Sequence, residues 1–363
     1  MSVVADQISL TVDGEDWLYP FDLTLEPGSF TTVIGATRAG KTSLLRVLAG
    51  LATPTSGRLV VDGRDVTGLN VRKRSVGMVY QEFVNYPGKT VFENIAAPLR
   101  NAKESADAIR KRVGEVAEIV GITELLERFP LELSGGQQQR VAIARTIARK
   151  RALVLLDEPL VNLDYKLREH LRGEFRRIFA DSDTIAVYSS SEPQEALILN
   201  GDALVLSEGR VIQHGPAVEV YARPESVTAA RQVSDPPMSI IPARMSVNGT
   251  RQWLVHGEPI GAEPAHTADL AEGDYQLGIY PHQLSTDRSR PGVHTVVDFV
   301  EVSGSNSFIY ARAGDAMLAI KEKGVHEHRL GDAVQVNFDT AHMLVFDRNG
   351  TLVACPGKEA SND

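Results

Sequence analysis

The chain has 363 residues, 43% of them hydrophobic, with a formal net charge of −9 and one cysteine. That length calls for two domains with sizeable cores, and the acidic balance excludes a nucleic-acid partner held by bulk electrostatics. A lone Cys355 excludes a disulfide framework and a cysteine zinc site, no apolar run approaches the ~20 residues of a membrane span, and the N-terminus lacks the basic-then-apolar pattern of a signal peptide.

From the N-terminus, Ile8-Ser9-Leu10-Thr11-Val12 and Phe21-Asp22-Leu23-Thr24-Leu25 alternate apolar and polar residues. That period predicts a small, largely antiparallel β unit. Its notable aromatics are Trp17 and Tyr19; one of them either stacks on a nucleotide base or sits partly buried in the sheet. After Pro27-Gly28, the apolar run Phe30 to Ile34 leads into Gly35-Ala36-Thr37-Arg38-Ala39-Gly40-Lys41-Thr42, and Ser43 to Ala49 reads as a helix ended by Gly50. This is G-x-x-x-x-G-K-[ST] in a strand–loop–helix setting. The loop amides and the helix N-terminus direct partial positive charge at a polyphosphate. Lys41 adds a point charge for the β- and γ-phosphates, and the Thr42 hydroxyl suits Mg²⁺. Gly35 and Gly40 let the backbone curl close to the anion, and Ser43 joins Gly35 to Thr42 as a candidate contact.

Thr53 to Gly57 is a turn, Arg58 to Val61 a strand, and Asp62-Gly63 a hairpin-type turn. Val76 to Tyr80 reads as a buried strand ending at the amide of Gln81. Residues 103 to 128 carry Ile109, Val113, Val116, Ile119 and Val120 at helical spacing, which predicts a helical subdomain. Leu133-Ser134-Gly135-Gly136-Gln137-Gln138-Gln139-Arg140 then runs into a helix from Val141 to Lys150. Ser134 suits an N-cap, and Gly135 and Gly136 expose amides at a positive helix end, a second phosphate-facing surface.

Ala152 to Leu156 is apolar without alternation, which predicts a strand buried on both faces of a parallel sheet. Asp157 and Glu158 stand at its C-terminal end, where α/β sheets place ligands. Asp157 suits Mg²⁺, and Glu158 suits a water attacking beside a γ-phosphate. Asn162-Leu163-Asp164 follows as a tight loop. From about residue 240, alternating runs such as Thr295 to Val300 and Ala333 to Phe338 recur between Gly-Asp turns at Gly273-Asp274, Gly314-Asp315 and Gly331-Asp332. They predict a small all-β barrel. It lacks the basic aromatic stripe of a nucleic-acid binder, and His282 and His342 read as surface or turn residues rather than metal ligands.

Together these residues resemble the ATP-binding subunit of an ABC transporter. The phosphate loop is residues 35–42, the glutamine loop Gln81, and the LSGGQ signature Leu133 to Gln137. The Walker B element is Leu153 to Asp157 with Glu158, and the D-loop is Asn162-Leu163-Asp164. The resemblance continues through Gly215 to Ser226, the linker Asp235 to Ser239, and Leu277 to His282 and Asp339 to Asp347, so it covers most of the chain. It implies an α/β fold: a RecA-like P-loop ATPase core in residues 1–235 with a helical subdomain at about 85–150, an all-β OB-type regulatory domain in 236–355, and a tail at 356–363.

ATP and Mg²⁺ are the implied cofactors. By resemblance Glu158 is the base, Lys41 and the loop amides hold phosphates, Gln81 senses the γ-phosphate, and Thr42, Gln81 and Asp157 surround the metal. Ser134, Gly135, Gly136 and Gln137 would touch the ATP of a second subunit. The implied partners are that second ATPase, two transmembrane permease subunits and, indirectly, a solute-binding protein, at the cytoplasmic face of the inner membrane. Glu82 to Pro87, including Phe83 and Tyr86, would receive the permeases' coupling helices. The implied solute is a sugar, a glycerol phosphate or a polyol such as glycerol. The alternatives are a soluble ABC ATPase, which usually carries two ATPase halves or a long coiled-coil insertion, and a nucleotide-dependent scaffold.

Two positions depart from the family pattern. Its switch histidine falls on Ser191, after the strand Thr184 to Tyr188; a serine carries no positive charge and is shorter than an imidazole. Val12 stands where the family has a base-stacking tyrosine, with Trp17 as the replacement. Ser191 leads to the expectation that this chain's own site binds ATP but hydrolyses it poorly, and that its partner is a different ATPase subunit. The rival is a shifted alignment in which another residue keeps the function.

Overall fold

The computed structural model describes residues 2–82, 84–180, 183–248, 250–287 and 292–357. Phe83 of the expected coupling segment and tail residues 358–363 lie outside the described residues. The chain divides into two compact units, Met1–Ala217 and Val218–Asp363. The division falls earlier than the expected 235/236. The segment after it is tied to the far end of the second unit: Val227 N–H donates to the Gly350 carbonyl at 2.8 Å, Leu352 N–H to that of Glu225 at 3.0 Å, and Ser226 bridges Thr351.

The first unit begins with β1 (Val3–Val12), β2 (Glu15–Leu25), β3 (Phe30–Ile34), α1 (Lys41–Ala49), β4 (Ser56–Val61), β5 (Arg64–Asp65) and β6 (Val76–Val79). The helices α2 (Val91–Asn101), α3 (Ala106–Ile119) and α4 (Gly135–Ala148) follow. It closes with β7 (Leu153–Asp157), α5 (Tyr165–Ala180), β8 (Ile185–Ser190), α6 (Gln194–Leu199), β9 (Asp202–Ser207) and β10 (Arg210–Pro216). An antiparallel sheet of order β2-β1-β4-β5 holds the N-terminal alternating runs. Its first hairpin turns at Asp13-Gly14, both in the left-handed region at φ 52° and 84°, the geometry of a tight hairpin turn.

The second sheet has the order β10-β9-β3-β8-β7-β6. Within it β9, β3, β8, β7 and β6 run parallel, and β10 pairs antiparallel to β9. Every residue of β7 is buried. Leu153 and Leu155 enter the core shared with α1 and the antiparallel sheet, while Val154 and Leu156 enter the core shared with α2, α3 and α4. Two cores therefore leave no solvent face for a polar alternate residue, which accounts for the unbroken apolar run.

The helical subdomain differs from the reading of its length. The helical spacing over 103–128 is carried by α3, which stops before Gly121 at φ 63°, and a single 3₁₀ turn at Thr123–Leu125 follows. Capping sets the starts: Thr90 and Glu93 form a capping box on α2, and Ser105 accepts the Ala108 amide on α3. The signature helix starts at Gly135, ahead of Val141, because Ser134 caps it. The strand expected at Thr184 to Tyr188 runs on to Ser190.

The second unit opens with α7 (Ala217–Ala222), which starts at the division, and α8 (Val227–Gln232). Among the described residues eleven strands follow: β11 (Ser239–Asn248), β12 (Thr250–Val255), β13 (Glu258–Pro259), β14 (Gly273–Ile279), β15 (Leu284–Ser285), β16 (Val293–Val302), β17 (Asn306–Ala313), β18 (Ala316–Lys323), β19 (Ala333–Phe338), β20 (Leu344–Phe346) and β21 (Leu352–Ala354). They form antiparallel sheets of order β13-β12-β11-β14-β20-β21 and β15-β19-β16-β17-β18. One core gathers Met245, Trp253, Leu277, Ile309, Leu318 and Val336 from both, an all-β arrangement of OB type. Gly314-Asp315 makes the β17–β18 turn, with Gly314 at φ 58°, and Gly331 at φ 88° precedes β19. Gly273-Asp274 is not a turn: it opens β14, where the Asp274 carboxylate faces Arg244 of β11 at 3.3 Å. Among the described residues, no helix is long and apolar enough to cross a membrane.

Candidate functional site

The parallel strands bring the phosphate-loop and Walker B residues to one end of the six-stranded sheet, at the C-termini of the interior strands β3 and β7. β3 runs into the loop Gly35 to Gly40, and α1 begins at Lys41. Both glycines are required. A Cβ on Gly35 would stand 2.3 Å from the Leu206 carbonyl oxygen, and Gly40 holds φ 104° with the Trp17 carbonyl 3.1 Å from where its Cβ would be. Gly40 is the N-cap of α1 and supplies no side chain to its first amides, and no acidic residue sits in the first turn. Those amides are unsatisfied donors at a positive helix end, the condition for holding an anion. The backbone of Ala36, Thr37 and Ala39 completes the cradle, with Arg38 in the left-handed region at φ 68° and Ser43 buried in the first turn of the helix.

Lys41 is 5% exposed. Its ammonium donates to the Gly35 and Ala36 carbonyls at 2.7 and 3.1 Å and meets the Glu158 carboxylate at 3.2 Å. A buried cation is held by paired acceptors, and here they face the cradle. Asp157 is 1% exposed at the end of β7. Its Oδ1 accepts from the Thr42 hydroxyl at 3.2 Å and from the Ser189 hydroxyl at 2.8 Å. Burial pushes this carboxyl above the usual aspartate range, and the two hydroxyl bonds oppose that push. Glu158 leaves the strand at φ 44°, a left-handed conformation uncommon for a side-chain-bearing residue. Its carboxylate accepts from Gln81 Nε2 at 3.2 Å, and its N–H donates to Ser189 Oγ at 3.0 Å.

The donor set fits the groups the sequence implies. A glycine cradle that a Cβ would fill, free helix amides and a buried lysine suit a polyphosphate. A hydroxyl and a carboxylate side by side, Thr42 and Asp157, are the hard oxygen donors of Mg²⁺. Gln81 meets the site through Glu158.

The signature residues bond among themselves. Ser134 Oγ accepts the Gln137 amide at 3.4 Å, and Gln137 Oε1 accepts the Ser134 amide at 2.9 Å. These bonds close on the helix start itself. Ser134 and Gly135 are exposed, and a Cβ on Gly136 would press on Leu163 and the Asn162 carbonyl at 3.3 and 3.4 Å, so the D-loop packs beneath it. Trp17 is 46% exposed, and its main-chain carbonyl lies 3.1 Å from where a Gly40 Cβ would be, so its backbone borders the phosphate loop. Tyr19 instead lies under the Arg210 guanidinium at 3.5 Å, and Val12 packs against the core.

Ser191 follows β8 at the surface and lines a shallow recess with Glu158, Arg168 and Glu192. Behind it stands a network absent from the sequence reading. Arg172 of α5 donates to Glu195 at 2.9 Å and to Glu192 at 3.1 Å, Arg168 pairs with Glu192, and the Tyr188 hydroxyl donates to Glu195 at 2.7 Å. Ser189 and Gln139 were also missed; the Gln139 amide donates to the Pro159 carbonyl at 2.6 Å. The only signal for Ser189 is its register partner Asp157 on the neighbouring strand, invisible until strand order is known. In the segment after Gln81, the Arg145 guanidinium donates to the Val84 carbonyl at 2.5 Å and lies over the Tyr86 ring at 5.0 Å. Val84 and Tyr86 themselves are exposed.

Comparison with known proteins bears on the family and the fold. Residues 18–161 match the family model described as ABC transporter. The chain is 34% identical over 343 residues to the sn-glycerol-3-phosphate import ATP-binding protein UgpC of Psychromonas ingrahamii, covering 92% of this chain and 90% of that protein. It is 35% identical over 354 residues to the UgpC of Chromohalobacter salexigens, covering 96% and 94%. With the alpha-glucoside transport ATP-binding protein AglK of Rhizobium meliloti it shares 34% over 341 residues, covering 92% and 94%. Among solved structures, a dimeric post-hydrolysis state of the ATP-binding cassette MJ0796 bound to ADP and Pi superposes with a TM-score of 0.55 at 27% identity, over 59% of this chain and 98% of that one. Sequence, fold and relatives converge: this chain is a member of the ABC transporter ATPases, similar over most of its length to sugar and glycerol-phosphate import subunits.

Proposed function

We propose that this chain binds and hydrolyses MgATP to power solute import through a membrane ABC transporter. The carrying observation is that two neighbouring pairs meet side chain to side chain, Lys41 with Glu158 at 3.2 Å and Thr42 with Asp157 at 3.2 Å. Lys41 and the amides from Gly35 to Ser43 hold the phosphates, and Thr42 with Asp157 holds the metal, with Gln81 at its border. Bound Mg²⁺ supplies Lewis-acid stabilisation of charge on the phosphates. Glu158 orients and deprotonates the attacking water, and Gln81, bonded to Glu158, reports the γ-phosphate to it. Trp17 at the loop rim is the stacking surface for the base. The Ser134 to Gln137 helix start, exposed at Ser134 and Gly135, reaches the nucleotide of a second subunit.

The partners are two permease subunits, received by the exposed surface around Val84 and Tyr86, and through them a solute-binding protein. The work is peripheral, at the cytoplasmic membrane face. The ATPase domain is the first unit, ending at Ala217, with the helical subdomain at about 85–150, and the regulatory domain lies in the second unit, from Val218. The relatives' names support a sugar or a glycerol phosphate as solute. The test is ATP-dependent uptake of labelled sn-glycerol-3-phosphate and of an alpha-glucoside into proteoliposomes holding this chain and the permeases that co-purify with it. Uptake of either that stops in the Glu158→Gln variant supports the reading; full uptake by that variant refutes it.

A second reading concerns the pair. Ser191 beside Glu158 favours a second, different ATPase as the other member, with this chain's own site turning over slowly. The dimeric cassette among the solved structures supports pairing, and the unlike pair rests on Ser191 alone. Brisk ATP turnover by the purified chain without any second ATPase removes it.

A further inference from the structure

We propose that Ser189 is a positioning residue of the hydrolytic site, a clamp that fixes Asp157 and Glu158 in different directions. The proposal rests on the reading of the site given above. It begins with the ladder between β7 and β8, which are parallel and end in register at Asp157 opposite Ser189. β7 stops there, and Glu158 turns away at φ 44°. A continuing parallel ladder would satisfy the next amide with a main-chain carbonyl. Here the Ser189 hydroxyl accepts that amide, Glu158 N–H, at 3.0 Å. The same hydroxyl donates its own proton to Asp157 Oδ1 at 2.8 Å. One hydroxyl has one proton and two lone pairs, so both bonds are satisfied at once. Ser189 is 0% exposed, so water cannot replace it without rearrangement.

The consequence is geometric. Two adjacent carboxylates must serve different partners: Asp157 faces Thr42, and Glu158 faces Lys41 and Gln81. The clamp holds the first by its side chain and the second by its main chain. A displacement on the order of 1 Å in a reacting geometry costs about 100-fold in rate, so the clamp acts on Mg²⁺ coordination and turnover rather than on metal-free nucleotide affinity. Alanine and valine both delete the hydroxyl, valine keeping the bulk of threonine; threonine retains the hydroxyl.

The experiment uses the full chain and its Ser189→Ala, Ser189→Val and Ser189→Thr variants, with thermal melts as the control of folding. The readouts are binding of a fluorescent N-methylanthraniloyl-ATP in EDTA and across a Mg²⁺ titration, and kcat and KM for ATP. The alanine and valine variants should bind in EDTA within about twofold of wild type, need several-fold more Mg²⁺ for half-maximal tightening, and lose about 10-fold or more in kcat at similar KM. Threonine should regain the wild-type Mg²⁺ midpoint. If valine does not melt cooperatively, alanine and threonine still decide the matter. Wild-type Mg²⁺ dependence and kcat in the alanine variant, or a threonine variant as impaired as alanine, overturns the role of Ser189 alone. Failure of the wild-type chain itself to bind nucleotide more tightly with Mg²⁺ overturns the reading of the site and this role with it.

Discussion

Glu158 combines an uncommon backbone conformation with a paired carboxylate, and the first explains the second. Left-handed φ in a residue with a Cβ costs on the order of 1 kcal/mol, and it persists here because the buried end of β7 and the Ser189 hydroxyl over-determine it. The turn aims the carboxylate back at Lys41 instead of along the sheet. Replacing Glu158 with Gln keeps the shape and the acceptor for Lys41 while removing the base. Phosphate release should fall by roughly 10² to 10⁴, with nucleotide affinity changed by less than about threefold; equal loss of both in a binding titration would count against a base. Gly35 offers the complementary test. Alanine there would set a Cβ 2.3 Å from a main-chain carbonyl, so the loop must shift, and Gly35→Ala should abolish nucleotide binding while Gly173→Ala, whose Cβ meets open space, leaves it intact.

At the scale of elements, the surface segment that carries Ser191 is held from below by α5. Arg172 is 7% exposed and Glu195 3%, and the guanidinium is shared among Glu195, Glu192 and Glu169. Removing one member of a buried pair strands the other, at about 3–5 kcal/mol. Arg172→Ala should therefore lower the midpoint of urea unfolding by that equivalent, and Arg172→Lys should recover little, because one ammonium cannot satisfy a forked set of acceptors. A fully stable Arg172→Ala would show that the network relaxes without cost. The Tyr188 hydroxyl belongs to the same network, held well above its ordinary value by burial and then by the Glu195 charge.

At the scale of the whole molecule, each unit carries its own titration or ligand signature. In the second unit the Tyr221 ring stacks on Tyr280 with centroids 4.4 Å apart, and burial pushes its hydroxyl up from 10.0 to about 12. The unfolded chain releases this proton near 10.0 and the folded chain holds it to about 12, so the folded state binds more protons in that window. Stability contributed by the protonated form is complete below 10.0 and is lost as pH rises towards about 12. Alkaline unfolding should be less steep in Tyr221→Phe, by on the order of 2 kcal/mol across the window; an unchanged pH profile would assign the slope elsewhere. In the first unit, MgATP at about 100 times its dissociation constant should raise stability by roughly 2.7 kcal/mol. Calorimetry with and without MgATP checks it, and an unshifted unfolding transition would deny a nucleotide site there.

By itself the sequence determined the chemistry that is local along the chain. The phosphate loop, the signature turn and the Asp157-Glu158 pair are each contiguous, because a loop that wraps an anion or a cap that starts a helix is built from neighbours whose backbone geometry is dictated residue by residue. The buried run of β7 was legible for the same reason, since two flanking cores suppress alternation. Where local signals were ambiguous, reading failed: Gly273-Asp274 looks like a turn and is the start of a strand, as cross-strand pairing outweighs a turn-forming dipeptide. Only the tertiary structure decided what depends on strand order. That Lys41 meets Glu158, that Ser189 stands beside Asp157, and that Arg172 lies beneath the Ser191 segment follow from β3, β8 and β7 being neighbours in that order. Such contacts join residues far apart in the chain, and a sheet's order is set by the burial of whole faces, which no stretch of sequence carries alone.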